Sequence, residues 1–239
     1  MSPGTDVRTI VVIPAFNEEE SLPAVLAQLA EVVPDLDIVV VDDGSTDRTA
    51  AVTRIAGVPC VALPFNLGIG GALRAGYRYA NDNGYDRAVQ FDADGQHRAD
   101  QIGALLETLD GGAEMAVGSR FAAGGYAVGR SRGVAMGLLR LGVKRLTGQK
   151  FTDTSSGFRA IGQPVLADFA TNYPVEYMDS VETLVNACRA GYDVREVPTL
   201  MEERTGGVPS QRPFRLVYHY ARLLVALLGS PRRANPRKR

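Results

Sequence analysis

The sequence predicts an α/β fold: a doubly wound, mostly parallel sheet with helices on both faces. Three observations carry that expectation. Short apolar runs recur through the first half of the chain, helix-patterned stretches fill the gaps between them, and each run ends in polar or turn residues.

The runs Ile10-Val11-Val12-Ile13 and Ile38-Val39-Val40-Val41 are β-branched and do not alternate, which is how strands covered on both faces read. Val58-Pro59-Cys60-Val61-Ala62-Leu63 and Ala88-Val89-Gln90-Phe91 supply a third and a fourth strand, and Met115-Ala116-Val117 a weaker fifth. Between the first two, Leu22, Val25, Leu26 and Leu29 fall at i, i+3, i+4 and i+7, with Ser21 placed to cap that helix. Thr46 to Ala56 and Gly70 to Ala80 fill the next two gaps, and Gln101 to Leu109 follows the fourth strand. This alternation makes βαβ units with parallel strands.

The second half is less regular. Residues 122–133 read as a Gly- and Arg-rich loop and 134–146 as a helix; Thr152 to Ile161 reads as a loop leading into a strand. Residues 163–171 and 179–190 have helical patterns, Val194 to Leu200 a strand pattern, and Glu202 to Arg212 is a loop punctuated by Gly and Pro. Phe214 to Leu228 is the last helix candidate. Arg215, His219 and Arg222 share one narrow face of it, and it is too short to span a bilayer.

The composition is that of a soluble globular protein. The 239 residues are 45% apolar and 22% charged, and the mean hydropathy is −0.05. These values exclude a disordered chain and a multi-span membrane protein. A chain of this length buries roughly 70% of its unfolded surface, so no disulfide or metal staple is needed. Cys60 and Cys188 are distant and form no CxxC; both read as reduced, buried thiols. Met1 to Asp6 carries no apolar signal core, which points to retention in the cytoplasm. The charge is uneven. Residues 1–203 hold 27 acidic and 17 basic residues, whereas 204–239 hold nine basic residues and no acid. A basic tail on an acidic body suits an anionic partner. A nucleic acid is not expected, because the tail lacks interleaved aromatics and the body would repel a phosphate backbone.

In open α/β sheets, ligands bind at the carboxyl ends of the strands. Here those ends are Pro14-Ala15-Phe16-Asn17-Glu18-Glu19, Asp42-Asp43-Gly44-Ser45-Thr46-Asp47 and Asp92-Ala93-Asp94-Gly95-Gln96-His97. Crowded carboxylates repel one another, so three such clusters at one crevice await a cation. Asp92-x-Asp94 can hold a hard divalent ion whose open positions take a diphosphate, and the ion offsets the charge of a departing nucleoside diphosphate. In the second cluster, an Asp or Ser caps the following helix, leaving the other carboxylate for a nucleobase or ribose. Asn66-Leu67-Gly68-Ile69-Gly70-Gly71 is not a dinucleotide fingerprint: position 73 is Leu and the segment follows the third strand, so it reads as a tight helix start. His97 is a metal ligand or a polar neighbour of the carboxylates.

Together these residues resemble the family 2 glycosyltransferases of GT-A fold, in the dolichol-phosphate (polyprenyl-phosphate) mannosyltransferase-like branch. The resemblance rests on Val12 to Glu18, Val41 to Asp47, Asn66-Leu67-Gly68 and Asp92 to His97. It continues through Gly118-Ser119-Arg120-Phe121, Asp153 to Arg159, Glu196-Val197-Pro198, and Arg204-Thr205-Gly206-Gly207 with Ser210. It implies a GT-A catalytic domain over 1–212 and a helix with a polybasic tail over 213–239. Pro14, Ala15, Phe16 and Glu18 would line the nucleoside pocket, and Val41 and Asp43 would meet base or ribose. Asp92 and Ala93 would face ribose and diphosphate, and Asp94 and Gln96 would bind Mg2+ or Mn2+. Arg120 and Arg204 would contact the diphosphate, and Arg130, Arg132 and Ser210 the acceptor. Where the branch carries a Lys late in the chain, this sequence has Pro209-Ser210-Gln211, leaving Ser210 or Arg212 to replace it.

The resemblance further implies inverting transfer from a nucleotide-diphosphate sugar, GDP-mannose or a UDP-sugar. A hydroxyl acceptor on a glycan needs a general base, for which Asp179 and Glu182 are the candidates; a polyprenyl phosphate is already ionised and needs none. The apolar helix and basic tail would hold the protein against the inner face of the plasma membrane. The competing class is a nucleotide-sugar sensor without turnover.

Overall fold

The computed structural model describes residues 7–122, 130–174 and 179–202, with the side chains at 130–132, 134, 135 and 179 left aside. The chain alternates β1 (Thr9–Ala15), α1 (Leu22–Val32), β2 (Asp37–Asp42), α2 (Thr49–Ile55), β3 (Cys60–Ala62), α3 (Ile69–Asp82) and β4 (Arg87–Gln90). There follow α4 (Ile102–Asp110), β5 (Met115–Ser119), α5 (Arg130–Thr147), β6 (Arg159–Gly162), α6 (Gln163–Asn172), α7 (Asp179–Ala190) and β7 (Val194–Pro198). The strands form one seven-stranded sheet in the order β3-β2-β1-β4-β6-β5-β7. Only β6 runs against its neighbours: β4 and β5 both pair with it antiparallel, whereas β1–β2, β1–β4, β2–β3 and β5–β7 are parallel.

The unbroken apolar runs are explained by burial on both faces. Ile10 and Val12 of β1 enter one core with Tyr77, Phe169 and Leu184, while Val11 and Ile13 enter a second with Leu26, Leu29 and Leu105. Successive strand residues point to opposite faces, so two filled layers demand apolar residues at every position.

Several expectations need correction. Ser21 makes no cap hydrogen bond to α1; its hydroxyl donates instead to Glu18 Oε2 at 2.5 Å. The second helix begins at Thr49 rather than Thr46, because Asp47 Oδ1 accepts the Thr49 N–H at 2.9 Å and fixes the start there. α5 begins at Arg130, within the stretch expected to be a loop. Cys60 is exposed, since β3 is a three-residue edge strand with exposed ends; Cys188 is partly buried, and burial pushes its thiol up to about 12. The expected helix over 214–228, the basic tail, His219, Arg204, Ser210 and Arg212 lie outside the described residues. No helix among the described residues is long and apolar enough to cross a membrane.

Candidate active site

The sheet order sets the carboxyl ends of β2, β1 and β4 side by side, so the three acidic clusters do meet at one edge. The first two loops are tied together. Asn17, in the left-handed region at φ 56°, donates its N–H to Ser45 Oγ at 3.0 Å and accepts the Thr46 N–H on Oδ1 at 2.9 Å. Asp47 Oδ2 accepts the Glu19 N–H at 3.1 Å, and Glu19 Oε2 accepts the Arg48 N–H at 3.0 Å. Each loop therefore satisfies backbone donors of the other. Glu18 is held in the same knot, donating its N–H to Thr49 Oγ1 at 2.9 Å.

Asp43 is buried, and Oδ1 accepts the Leu67 N–H at 2.7 Å, tying the loop after β3 to the site. Burial pushes its carboxyl above the usual range, against the pull of the Leu67 and Gly68 N–H groups. Pro14, Ala15 and Val41 lie in the sheet with buried side chains. Phe16 behaves differently: it is 44% exposed at the lip.

Asp92 is fixed from three sides. Its N–H donates to His97 Nδ1 at 3.0 Å, which leaves the proton on Nε2, 3.5 Å from Asp92 Oδ2. Gln90 Nε2 lies 3.4 Å from Oδ1. Opposite stands Gly157, where a Cβ would fall 3.0 Å from Asp92 Oδ2 and 2.9 Å from Gln90 Nε2. A side chain there would displace the carboxylate. His97 is 1% exposed and stacks on Phe158 at 4.8 Å. With both nitrogens turned to Asp92, the ring acts as the buried polar neighbour and not as a ligand. Ala93 is buried, and Asp94 Oδ1 accepts the Gln96 N–H at 3.0 Å. His97 also bridges to Met201, and Gln96 O accepts the Glu202 N–H at 3.0 Å, so the stretch after β7 is fastened to this turn at 201–202.

Arg120 reaches the edge from the end of β5 and grips Asp153 through Nε at 2.6 Å and Nη2 at 3.0 Å. Asp153 is fully buried. Burial alone would raise its carboxyl, but the Arg120 guanidinium and the Ser155 N–H outweigh it and hold the group below the usual range. Glu196 of β7 accepts the Thr152 and Asp153 N–H groups at 2.8 and 2.7 Å. Asp153 and Glu196 carried no role in the sequence reading; two acids facing an apolar strand end and a Gly-Ser loop were the available signal. Because the folded carboxyl of Asp153 titrates lower than in the unfolded chain, its stabilisation is complete above about pH 4, the unfolded value, and is lost as pH falls through the folded one. Acid unfolding followed by circular dichroism should therefore shift to higher pH in full-length protein carrying Arg120→Met; an unchanged midpoint would count against the pair.

Glu182 lies in the first turn of α7, half-buried, and the side chains of Asp179, Arg130 and Arg132 are outside the described set. Arg159, at the end of the Asp153 to Arg159 segment, is a further buried charge. It is 1% exposed, with its guanidinium between the 156 loop and α7.

The sequence model described as "Glycosyl transferase family 2" matches residues 10–169. The chain belongs to this family. It is similar to the undecaprenyl-phosphate mannosyltransferase of Micrococcus luteus, 36% identical over 84% of this chain and 86% of that protein. It is also similar to the polyprenol monophosphomannose synthase of Mycolicibacterium smegmatis, 33% identical over 84% of this chain and 80% of the other. Among solved structures, glucosyl-3-phosphoglycerate synthase of Mycobacterium tuberculosis, in complex with Mn2+, UDP and phosphoglyceric acid, superposes with a TM-score of 0.69 at 23% identity, covering 95% of this chain and 80% of that one. The protein is thus a family 2 glycosyltransferase with the GT-A fold. In this glycosyltransferase the acidic crevice, the Asp92-Ala93-Asp94 turn and the Arg120–Asp153 pair occupy one edge of the sheet.

Proposed function

We propose that this glycosyltransferase transfers a sugar, with inversion, from a nucleotide-diphosphate sugar to polyprenyl phosphate. GDP-mannose or a UDP-sugar is the donor class. The observation that carries the reading is the Asp92-Ala93-Asp94 turn, intact and braced at the carboxyl edge of the sheet. The lipid acceptor is supported by the names of the two bacterial relatives, each matched over more than four-fifths of this chain.

The residues present fit a divalent cation of a particular kind. Among the described residues, no three His, Cys, Asp or Glu side chains converge into a closed cage. Asp94 and Gln96 would suit a hard ion taking its remaining oxygens from the donor diphosphate. Mg2+ or Mn2+ held by Asp94 and Gln96 would offset charge on the leaving diphosphate. The chain's own residues do the rest. Phe16 offers an exposed ring to the base, Asp92 faces ribose and diphosphate, and Arg120 and Arg204 bring positive charge to the phosphates. A lipid phosphate attacks as an anion, so Glu182 and Asp179 orient groups rather than remove a proton.

The test is release of nucleoside diphosphate from a panel of nucleotide sugars with Mg2+ or Mn2+, with and without short-chain polyprenyl phosphate. Metal-dependent release stimulated by the lipid is the expected result. Turnover indifferent to the lipid would move the acceptor to a sugar hydroxyl, with Asp179 or Glu182 as base. Donor binding without turnover for any acceptor would sink the reading in favour of a sensor.

A further inference from the structure

Arg159 is the least expected charge in this fold. It lies on β6 between Phe158 and Ala160, which enter the core layer of α1 and α4, so its own side chain points to the opposite layer, toward α7. Among the described residues, its three hydrogen bonds go to neutral oxygens. Nε donates to Ser156 O at 2.9 Å, Nη1 to Thr183 Oγ1 at 3.0 Å, and Nη2 to Ser180 O. It takes part in none of the ion pairs among the described residues. Taking a guanidinium out of water is costly, and a clamp made only for stability is served as well by apolar packing.

Its position ties it to the site. Gln90 of β4 pairs with Arg159 in the antiparallel register, and the same register two residues on sets Asp92 opposite Gly157, where the Cβ position lies 3.0 Å from Asp92 Oδ2. Arg159 is therefore two register positions beneath Asp92, on the face that α7 covers. Its bonds to Ser180 and Thr183 fasten the first turn of α7, the turn that carries Asp179 and Glu182, to the loop that walls Asp92.

We propose that Arg159 is a positioning residue for the transfer: it locks the first turn of α7 to the 153–158 loop, so that the acids of that turn stand at a fixed separation from the donor diphosphate over Asp92. This rests on the glycosyltransferase reading above. The charge matters because the guanidinium forks to two points of α7 and one of the loop, a geometry an ammonium cannot copy.

The experiment uses the full chain with Arg159→Lys and, as a gentler change, Thr183→Val, which removes one of the three bonds and keeps the volume. Thermal melting establishes that each is folded, and Thr183→Val alone decides if the Lys variant is not. Two quantities are then read. Hydrogen exchange should quicken together at residues 154–158 and 179–183 and nowhere else. The kcat for transfer should fall about 10- to 100-fold in Arg159→Lys and several-fold in Thr183→Val, since misplacement near 1 Å costs about that much. Affinity for the product nucleoside diphosphate, with Mn2+, should fall far less than kcat, because the base and ribose side of the pocket, at β1 and β2, is untouched. Unchanged exchange at both segments would overturn the proposal. So would a loss of nucleotide affinity equal to the loss of kcat, which marks mere upkeep of the pocket. A wild-type protein that turns over no donor would sink the transferase reading, while the exchange measurement would still decide the clamp.

Discussion

Asp94→Ala is expected to lower sugar transfer by about 10²- to 10³-fold while leaving the protein folded. The carboxylate is one of the two groups proposed to hold the cation, and a cation at a departing diphosphate contributes several kcal/mol of charge stabilisation. At about 1.4 kcal/mol per tenfold, losing one of those two groups gives the stated range. One of the side chain's bonds is Oδ1 to the Gln96 N–H at 3.0 Å, in a partly exposed turn. Such a bond contributes about 1 kcal/mol, a shift of roughly 2–4 °C in Tm for a chain of this size. Initial rates across an Mn2+ titration, with calorimetric binding of the nucleoside diphosphate, separate the two effects. The mutant should bind nucleotide with little metal dependence. Wild-type, metal-dependent turnover in Asp94→Ala would remove Asp94 from that role.

Gly44→Ala is expected to be the most damaging single methyl in the crevice. Gly44 sits at φ +69°, and an added Cβ would fall 2.6 Å from Phe65 C and 2.8 Å from Asn66 N. Both are backbone atoms and cannot rotate aside. The left-handed conformation costs about 1–2 kcal/mol for a residue with a side chain, and overpacking adds about 1–3 kcal/mol. The loop after β3 is held by Asp43 through the Leu67 N–H at 2.7 Å, so pushing it away also breaks that bond. Together these predict a fall of roughly 5–15 °C in Tm, and weaker nucleotide binding in whatever fraction folds. A variant that melts with the wild type would mean that the 65–66 loop yields freely and does not wall the pocket.

Much of this protein was readable from local pattern. Runs such as Ile10 to Ile13 have no polar residue to spare, and that fact encodes a sheet covered twice before any contact is known. The Asp-rich strand ends and the Asp92-x-Asp94 turn were equally visible, because ligand chemistry at a sheet edge is written in contiguous residues. Gly68 at φ +80° opens α3 as the tight helix start that the Asn66 to Gly71 segment suggested.

What pattern could not supply was pairing between distant segments. Ser21 has the right residue type for a cap, yet Glu18 claims its hydroxyl, and Asp47 sets the start of α2 three residues late. His97 was ambiguous in sequence because a ligand and a hydrogen-bonding neighbour use the same imidazole; its two nitrogens face Asp92 only once Phe91 and Phe158 box the ring.

The sequence by itself determined the layer architecture and the acidic residues at the carboxyl ends of the strands, since each follows from short-range periodicity and composition. The tertiary structure decided the direction of β6, and with it the opposition of Gly157 to Asp92, the grip of Asp153 on Arg120 and the seat of Arg159 under the site. Those are contacts between residues 21 to 75 positions apart, and a bond across such a gap depends on how the strands are ordered, which no single stretch of sequence encodes.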